Sequence, residues 1–150
     1  MQWNLSDRAA EILYRTRGGL EVVRTTRPIE AEPALAELTA ALDQRRGALF
    51  SSGIEYPGRY SRFDFGFVDP PLLLETAAGT VRLTALSERG RPLLDAATAA
   101  LAQAPVRVLE RTPDYLTAEV VGDGAVAFEE ERTRRPSVFG VLRALIDAFG

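Results

Sequence analysis

The sequence predicts an α+β fold in which a mainly antiparallel sheet packs with about three helices. Strand-like and helix-like patterns follow one another without the regular alternation that is typical of a parallel sheet. Several short strand patterns are separated by glycine-containing turns, and three apolar stripes at helical spacing each begin close to a proline. The chain has 150 residues, of which 46% are hydrophobic, so it can bury a core as one domain.

The first third of the chain predicts a strand followed by a helix. The pair Gly18-Gly19 marks a turn, and residues 20–26 are rich enough in β-branched side chains to form a strand. A helix is predicted to begin at Pro33 and to end at Gly47, after Arg45 and Arg46 in its last turn. Its apolar face is formed by leucines at helical spacing, namely Leu35, Leu38 and Leu42.

The middle of the chain changes to the two-residue period of strands. Residues 48–52 predict a short strand, and residues 60–68 alternate cleanly between two faces. One face carries the large aromatic side chains Phe63, Phe65 and Phe67, and the other carries Arg62, Asp64 and Gly66. Because aromatic side chains are mostly buried, we expect the three phenylalanines to belong to the core.

The last half predicts a hairpin, two further strands and two helices. The hairpin joins residues 72–76 and 80–86, a helix begins at Pro92, and strands are expected at residues 106–110 and 115–121. After the solvated charge run 129–135, a third helix carries the apolar positions Val138, Val141, Leu142, Leu145 and Phe149. We expect this stripe to be exposed unless a partner covers it, and a homodimer is one way to cover it.

Charge and composition exclude several classes of function. The net charge of −3 argues against a nucleic-acid partner and against an anionic membrane surface. No apolar run approaches the roughly 20 residues that span a bilayer. There is no cysteine, and hence neither a disulfide framework nor a thiolate zinc site, so we expect a cytoplasmic protein.

The chain also has few residues that could perform catalysis. It contains no histidine, the commonest general base, and all 18 of its basic residues are arginine, which excludes Schiff-base chemistry by lysine. The acidic cluster 129–131 lacks the spaced oxygen ligands of a calcium loop. Catalysis would have to rest on carboxylates, tyrosines or arginines, which is a poor set of residues for an enzyme, and we expect no metal site at the acidic cluster.

One stretch of the sequence is distinctive enough to indicate a family. Residues 47–64, GALFSSGIEYPGRYSRFD, together with VDPP at 68–71, resemble the amino-terminal region of anthranilate synthases of the fused type. In this type, component I and the glutamine amidotransferase form one polypeptide. YRTRGGLEV at 14–22 and RRPSVFGVLR at 134–143 support the resemblance, since the blocks appear in the expected order. It implies that residues 1–150 are part of the two-sheet fold of component I, without its chorismate-binding domain and without the amidotransferase domain.

The resemblance implies an activity and a regulatory ligand. Anthranilate synthases convert chorismate to anthranilate with Mg²⁺ and ammonia released from glutamine, but the residues for this chemistry lie beyond position 150. We therefore expect no cofactor within this chain. The family's amino-terminal region holds part of the L-tryptophan feedback site, and the match falls on Leu49, Phe50, Ser51, Ser52 and Arg62. Ser51 stands where the common pattern has Glu or Asp.

The chemistry of these side chains suits an amino acid, although simpler roles exist. Ser52 could bond the polar head, Arg62 could pair with the carboxylate, and Phe50 could line an apolar slot. The simpler roles are turn hydroxyls for the two serines and an ion pair between Arg62 and Asp64. The chain could instead be a stand-alone amino-acid sensor or a structural interaction module. A reading frame that continues into a chorismate-binding domain would favour a region of an enzyme over these two alternatives.

Overall fold

The computed structural model describes residues 10–52, 63–121 and 137–150. Strands and helices are mixed along these ranges, and the strand pairs from β3 onward are antiparallel, which confirms the predicted α+β class. The elements are β1 (Ala10–Arg15), β2 (Glu21–Thr26), α1 (Ala31–Leu42), β3 (Gly47–Ser51), β4 (Asp64–Val68), β5 (Leu72–Ala77), β6 (Thr80–Ala85), α2 (Arg91–Leu101), β7 (Val106–Arg111), β8 (Tyr115–Val120) and α3 (Val138–Phe149).

The chain divides into two compact units. The smaller unit contains Thr25–Pro70, and the larger unit contains Glu11–Arg24 and Pro71–Gly150. In the larger unit, four strands form an antiparallel sheet in the order β5-β6-β8-β7, and β1 and β2 form a separate two-stranded sheet. Helix α2 packs against both the four-stranded sheet and α3. In the central strands, Leu83 lies opposite Leu116 and Val81 lies opposite Ala118. These four residues alternate along the strands, and all of them belong to the core. The core consists of Val81, Leu83, Leu94, Ala97, Leu101, Leu116, Ala118, Val141 and Leu145.

Helix α3 is packed more completely than its sequence predicted. Val141 and Leu145 are only 2% and 3% exposed, since they join the core beside α2. The expectation that they would be exposed in the absence of a partner is therefore wrong. Leu142 does remain exposed, together with Phe139 and Ile146 on the outer side of the helix.

The glycine turn between β1 and β2 caps the carboxyl end of α3. The backbone N–H of Gly18 donates to the carbonyl of Ala148 at 2.9 Å, and that of Arg17 donates to the carbonyl of Gly150 at 3.1 Å. These bonds satisfy carbonyls that have no partner inside a helix. A Cβ on Gly18 would lie 2.6 Å from the Ala148 carbonyl oxygen, so this close approach requires glycine.

We expect Gly18→Ala to lower the free energy of unfolding by about 1–3 kcal/mol, because the new methyl group forces the turn and α3 apart. Gly140→Ala is the matched control. A Cβ there meets no atom within 4 Å, and alanine favours helix, so stability should stay level or rise by up to about 1 kcal/mol. Urea unfolding followed by circular dichroism measures both. Equal stability of the Gly18→Ala protein and the wild type would contradict the capping role.

In the smaller unit, α1 packs on one face of the β3–β4 pair. Glycines make this packing possible: a Cβ on Gly66 would lie 2.4 Å from Leu38 Cδ2, and one on Gly47 would lie 2.7 Å from Leu42 Cδ2. Helix α1 ends at Leu42 rather than at the predicted Gly47. Gly47 is instead the first residue of β3, where its missing side chain admits the helix.

The opposite face of the β3–β4 pair carries the aromatic side chains. Phe63, Phe65 and Phe67 are 69%, 59% and 41% exposed, so the prediction that they belong to the core is wrong. The predicted alternation itself is correct. The helix covers the face that carries Gly66, because only that face allows a close approach.

Candidate functional site

The candidate ligand residues lie at the end of β3. Leu49, Phe50 and Ser51 are its last three residues, and Ser52 follows directly. The backbone N–H of Ser52 donates to the carbonyl of Phe63 at 3.1 Å, which continues the pairing with β4 beyond the end of the strand. Arg62 lies outside the described residues.

The strand alternation separates these residues into two sets. Leu49 is paired with Gly66 on the face that α1 covers, and Ser51 lies on this face as well. Phe50 is paired with Phe65 on the opposite face, and Ser52 shares that face because it is two residues further on. The register thus places Phe50 on one face of the strand pair and Leu49 and Ser51 on the other.

Ser51 makes a hydrogen bond to a carboxylate on the neighbouring strand. Its Oγ donates to Asp64 Oδ1 at 2.5 Å, and the two residues lie directly opposite each other in the antiparallel pair. Sequence reasoning considered Asp64 only as a partner for Arg62. The 13-residue separation of Ser51 and Asp64 gave no local signal, since only the register of the two strands brings them together.

Four phenylalanines form what we call the aromatic face: Phe50, Phe63, Phe65 and Phe67. The ring of Phe65 stacks on that of Phe50 with centroids 6.3 Å apart, and it lies 6.4 Å from the tilted ring of Phe67. These separations are within the range of favourable aromatic pairs. Phe50 and Phe65 are 61% and 59% exposed, so the stacked rings form an accessible platform.

The platform has a hydroxyl near one end. Successive side chains on one face of a strand are about 7 Å apart, and Ser52, which directly follows β3, is two residues beyond Phe50. A molecule with an apolar ring and a polar head can therefore lay its ring on Phe50 and Phe65 and direct its head to Ser52. Aromatic amino acids have this shape.

The VDPP block after β4 has a structural role. Asp69 adopts a positive φ of 51°, a conformation that aspartate tolerates, and its N–H donates to the carbonyl of Arg46 at 2.8 Å. Arg45 donates to both carboxylate oxygens of Asp69. This hydrogen bonding and the charge of Asp69 raise the pKa of Arg45 above its ordinary value. The block thus fixes the turn that ends the β3–β4 pair.

Among residues 10–52, 63–121 and 137–150, no three His, Cys, Asp or Glu side chains come together to hold a metal ion. Nor does any helix within these ranges combine the length and the apolarity needed to cross a membrane.

Comparison with known proteins identifies a relative. The chain is 43% identical over 137 residues to an anthranilate synthase of Azospirillum brasilense, a match that covers 91% of this chain. The resemblance to anthranilate synthase is confirmed. The same match covers 19% of the Azospirillum anthranilate synthase, so the chain spans about a fifth of that relative's length. No family model matches the chain, and no solved structure matches it.

Proposed function

We propose that this chain is the amino-terminal region of a fused anthranilate synthase, which makes anthranilate from chorismate and glutamine for tryptophan biosynthesis. The observation that carries the proposal is the 43% identity to an anthranilate synthase over nearly the whole of this chain. The region itself is not catalytic in this proposal, because it has no histidine, cysteine or lysine. It carries part of the site at which L-tryptophan inhibits the enzyme.

The exposed, stacked rings of Phe50 and Phe65 support this site. An indole ring on Phe50 and Phe65 would make the offset or edge contacts that aromatic pairs prefer. The hydroxyl of Ser52 would bond the amino acid's polar head, and Arg62 is the proposed partner of its carboxylate, since arginine binds carboxylates with two parallel hydrogen bonds.

Leu49 and Ser51 contribute indirectly in this proposal. Leu49 packs beneath α1 and holds the strand, whereas Ser51 bonds Asp64 across the pair. Ser51 stands where the family has an acid, and the carboxylate of Asp64 lies next to it. The negative charge at this end of the strand pair is thus supplied by β4 instead of β3.

The remaining parts of the enzyme complete the proposal. The partners of this chain are the rest of component I and the amidotransferase domain. Mg²⁺ takes part in the reaction that those parts catalyse. The whole protein acts in the cytoplasm. The described residues do not fit a magnesium site, because no cluster of three ligating side chains occurs among them. We assign no step of the reaction to them.

An assay of anthranilate production by the full-length polypeptide that carries this chain tests the proposal. With chorismate, Mg²⁺ and glutamine this polypeptide should produce anthranilate, detected by its fluorescence, and L-tryptophan should suppress the product. L-alanine, which has the same polar head but no ring, is the control and should not suppress it. Binding of L-tryptophan by a polypeptide that makes no anthranilate would instead favour the stand-alone sensor.

A further inference from the structure

The connection between β4 and β5 carries the chain from the smaller unit to the larger one, because the units divide between Pro70 and Pro71. It consists of Asp69, Pro70 and Pro71, since β4 ends at Val68 and β5 begins at Leu72. Each proline ring fixes its own φ and also restricts the residue before it. A connection that is so short and contains two prolines has little conformational freedom of its own.

The first residue of this connection is held by the chain that leads into β3. Arg45 donates to both carboxylate oxygens of Asp69, and the N–H of Asp69 donates to the carbonyl of Arg46 at 2.8 Å. Asp69 has a φ of 51°, which residues other than glycine adopt rarely and keep only where several contacts hold them. Asp69 is therefore tied to both strands of the β3–β4 pair.

The last residue of the connection is held by the larger unit. The carbonyl of Pro71 accepts the N–H of Leu86 at 2.9 Å. The backbone of Gly90 approaches the same carbonyl so closely that a Cβ there would lie 2.2 Å from the oxygen. Strand β5 begins with the next residue and is paired with β6 from Leu72 to Ala77. A displacement of Pro71 would therefore act directly on the four-stranded sheet.

The proposed tryptophan site and this connection lie at opposite ends of the β3–β4 pair. Gly47 is paired with Val68, next to Asp69, whereas Ser51 is paired with Asp64 at the other end, where Ser52 follows. The five residues of β3 separate these ends by about 13 Å. Because hydrogen bonds join the two strands along this length, a shift of the pair at the ligand end also moves its other end.

We propose that the connection 69–71 transmits tryptophan binding to the rest of the enzyme, and that the Arg45–Asp69 ion pair is what couples it to the strand pair. This inference rests on the proposed function. A ligand inhibits from a distance only if it binds the less active state of the enzyme more tightly than the active state. Without the ion pair, the strand pair no longer constrains β5. Tryptophan then binds both states equally and shifts neither.

Two variants of the full-length enzyme test the inference. Asp69→Gly removes the carboxylate, and it should fold because glycine adopts a φ of 51° without strain. Arg45→Gln removes the same ion pair from its other side and leaves Asp69 in place. Both variants should keep the wild-type activity without tryptophan. In calorimetry they should bind L-tryptophan within about threefold of the wild-type affinity, because the substituted residues lie far from the ligand.

Inhibition should change where binding does not. At saturating L-tryptophan we expect the wild-type activity to fall at least about tenfold and that of either variant to fall less than about twofold. Arg107→Gln is the matched control. It removes another exposed ion pair, in which Arg107 and Glu119 of the larger unit are 2.7 Å apart, and its inhibition should equal that of the wild type.

Every other outcome identifies what fails. Variants that bind tryptophan and are inhibited like the wild type would overturn the coupling and leave the proposed function intact. Variants that no longer bind tryptophan, or that are inactive without it, would show that the ion pair maintains the ligand site or the fold, and would also overturn the coupling. A wild-type enzyme that neither binds tryptophan nor is inhibited by it would remove the feedback site itself, and the coupling with it.

Discussion

Residues 1–150 expressed alone are expected to produce no anthranilate from chorismate with Mg²⁺, whether ammonia or glutamine supplies the nitrogen. The chain has no histidine, cysteine or lysine, and thus no thiol nucleophile, no imidazole base and no amine for covalent catalysis. The expected effect is complete loss relative to the full-length polypeptide. Anthranilate fluorescence measures the product continuously.

The control for this experiment is the full-length polypeptide, assayed in the same buffer and purified from the same host. The host should lack its own anthranilate synthase, because traces of that enzyme would imitate activity. Any anthranilate formed by the isolated chain above the level without protein would contradict its non-catalytic role.

Ser52→Phe in the full-length enzyme should weaken inhibition by L-tryptophan strongly. A benzyl group in place of the hydroxymethyl group overfills the end of the platform and removes the hydroxyl, at a cost of roughly 1–3 kcal/mol in ligand binding. This corresponds to an inhibition midpoint about five- to 150-fold higher, since about 1.4 kcal/mol equals one decade. Activity without tryptophan should hardly change, because Ser52 is proposed to lie away from the chorismate site.

Two companion variants separate the causes of this effect. Ser52→Ala removes the hydroxyl without adding bulk and should raise the midpoint less than Ser52→Phe does. Thr76→Phe adds the same ring at an exposed strand position of the larger unit and should leave the midpoint unchanged. A Ser52→Phe enzyme with lower activity but an unchanged midpoint would show that Ser52 does not contact the inhibitor.

Many elements of the larger unit could be predicted because each is indicated by residues that are neighbours in the sequence. The hairpin of β5 and β6 closes at Ala78 and Gly79, as the turn sequence predicted. Both residues have positive φ. Pro92 lies in the first turn of α2, where proline is favoured. Each of these features depends on residues that are neighbours in the sequence.

The smaller unit was harder to predict because its arrangement depends on contacts between elements. The alternation of β4 was evident, but the sequence does not state which face a helix covers. Gly47 resembled a helix stop, and Gly66 an unremarkable strand position, whereas both admit leucines of α1. The Ser51–Asp64 hydrogen bond depends on the register of β3 and β4. The phenylalanines were expected in a core, whereas the described residues place them on an exposed face.

Calorimetric titration of L-tryptophan into the full-length enzyme, wild type and Ser52→Phe, tests the central claim most directly. Binding is measured without chorismate, so that neither catalysis nor competition affects the result. We expect saturable binding to the wild type and binding to the variant that is weaker by the same factor as its inhibition. Equal affinity of the two proteins, or no binding to an active wild-type enzyme, would contradict the claim that this chain carries part of the feedback site.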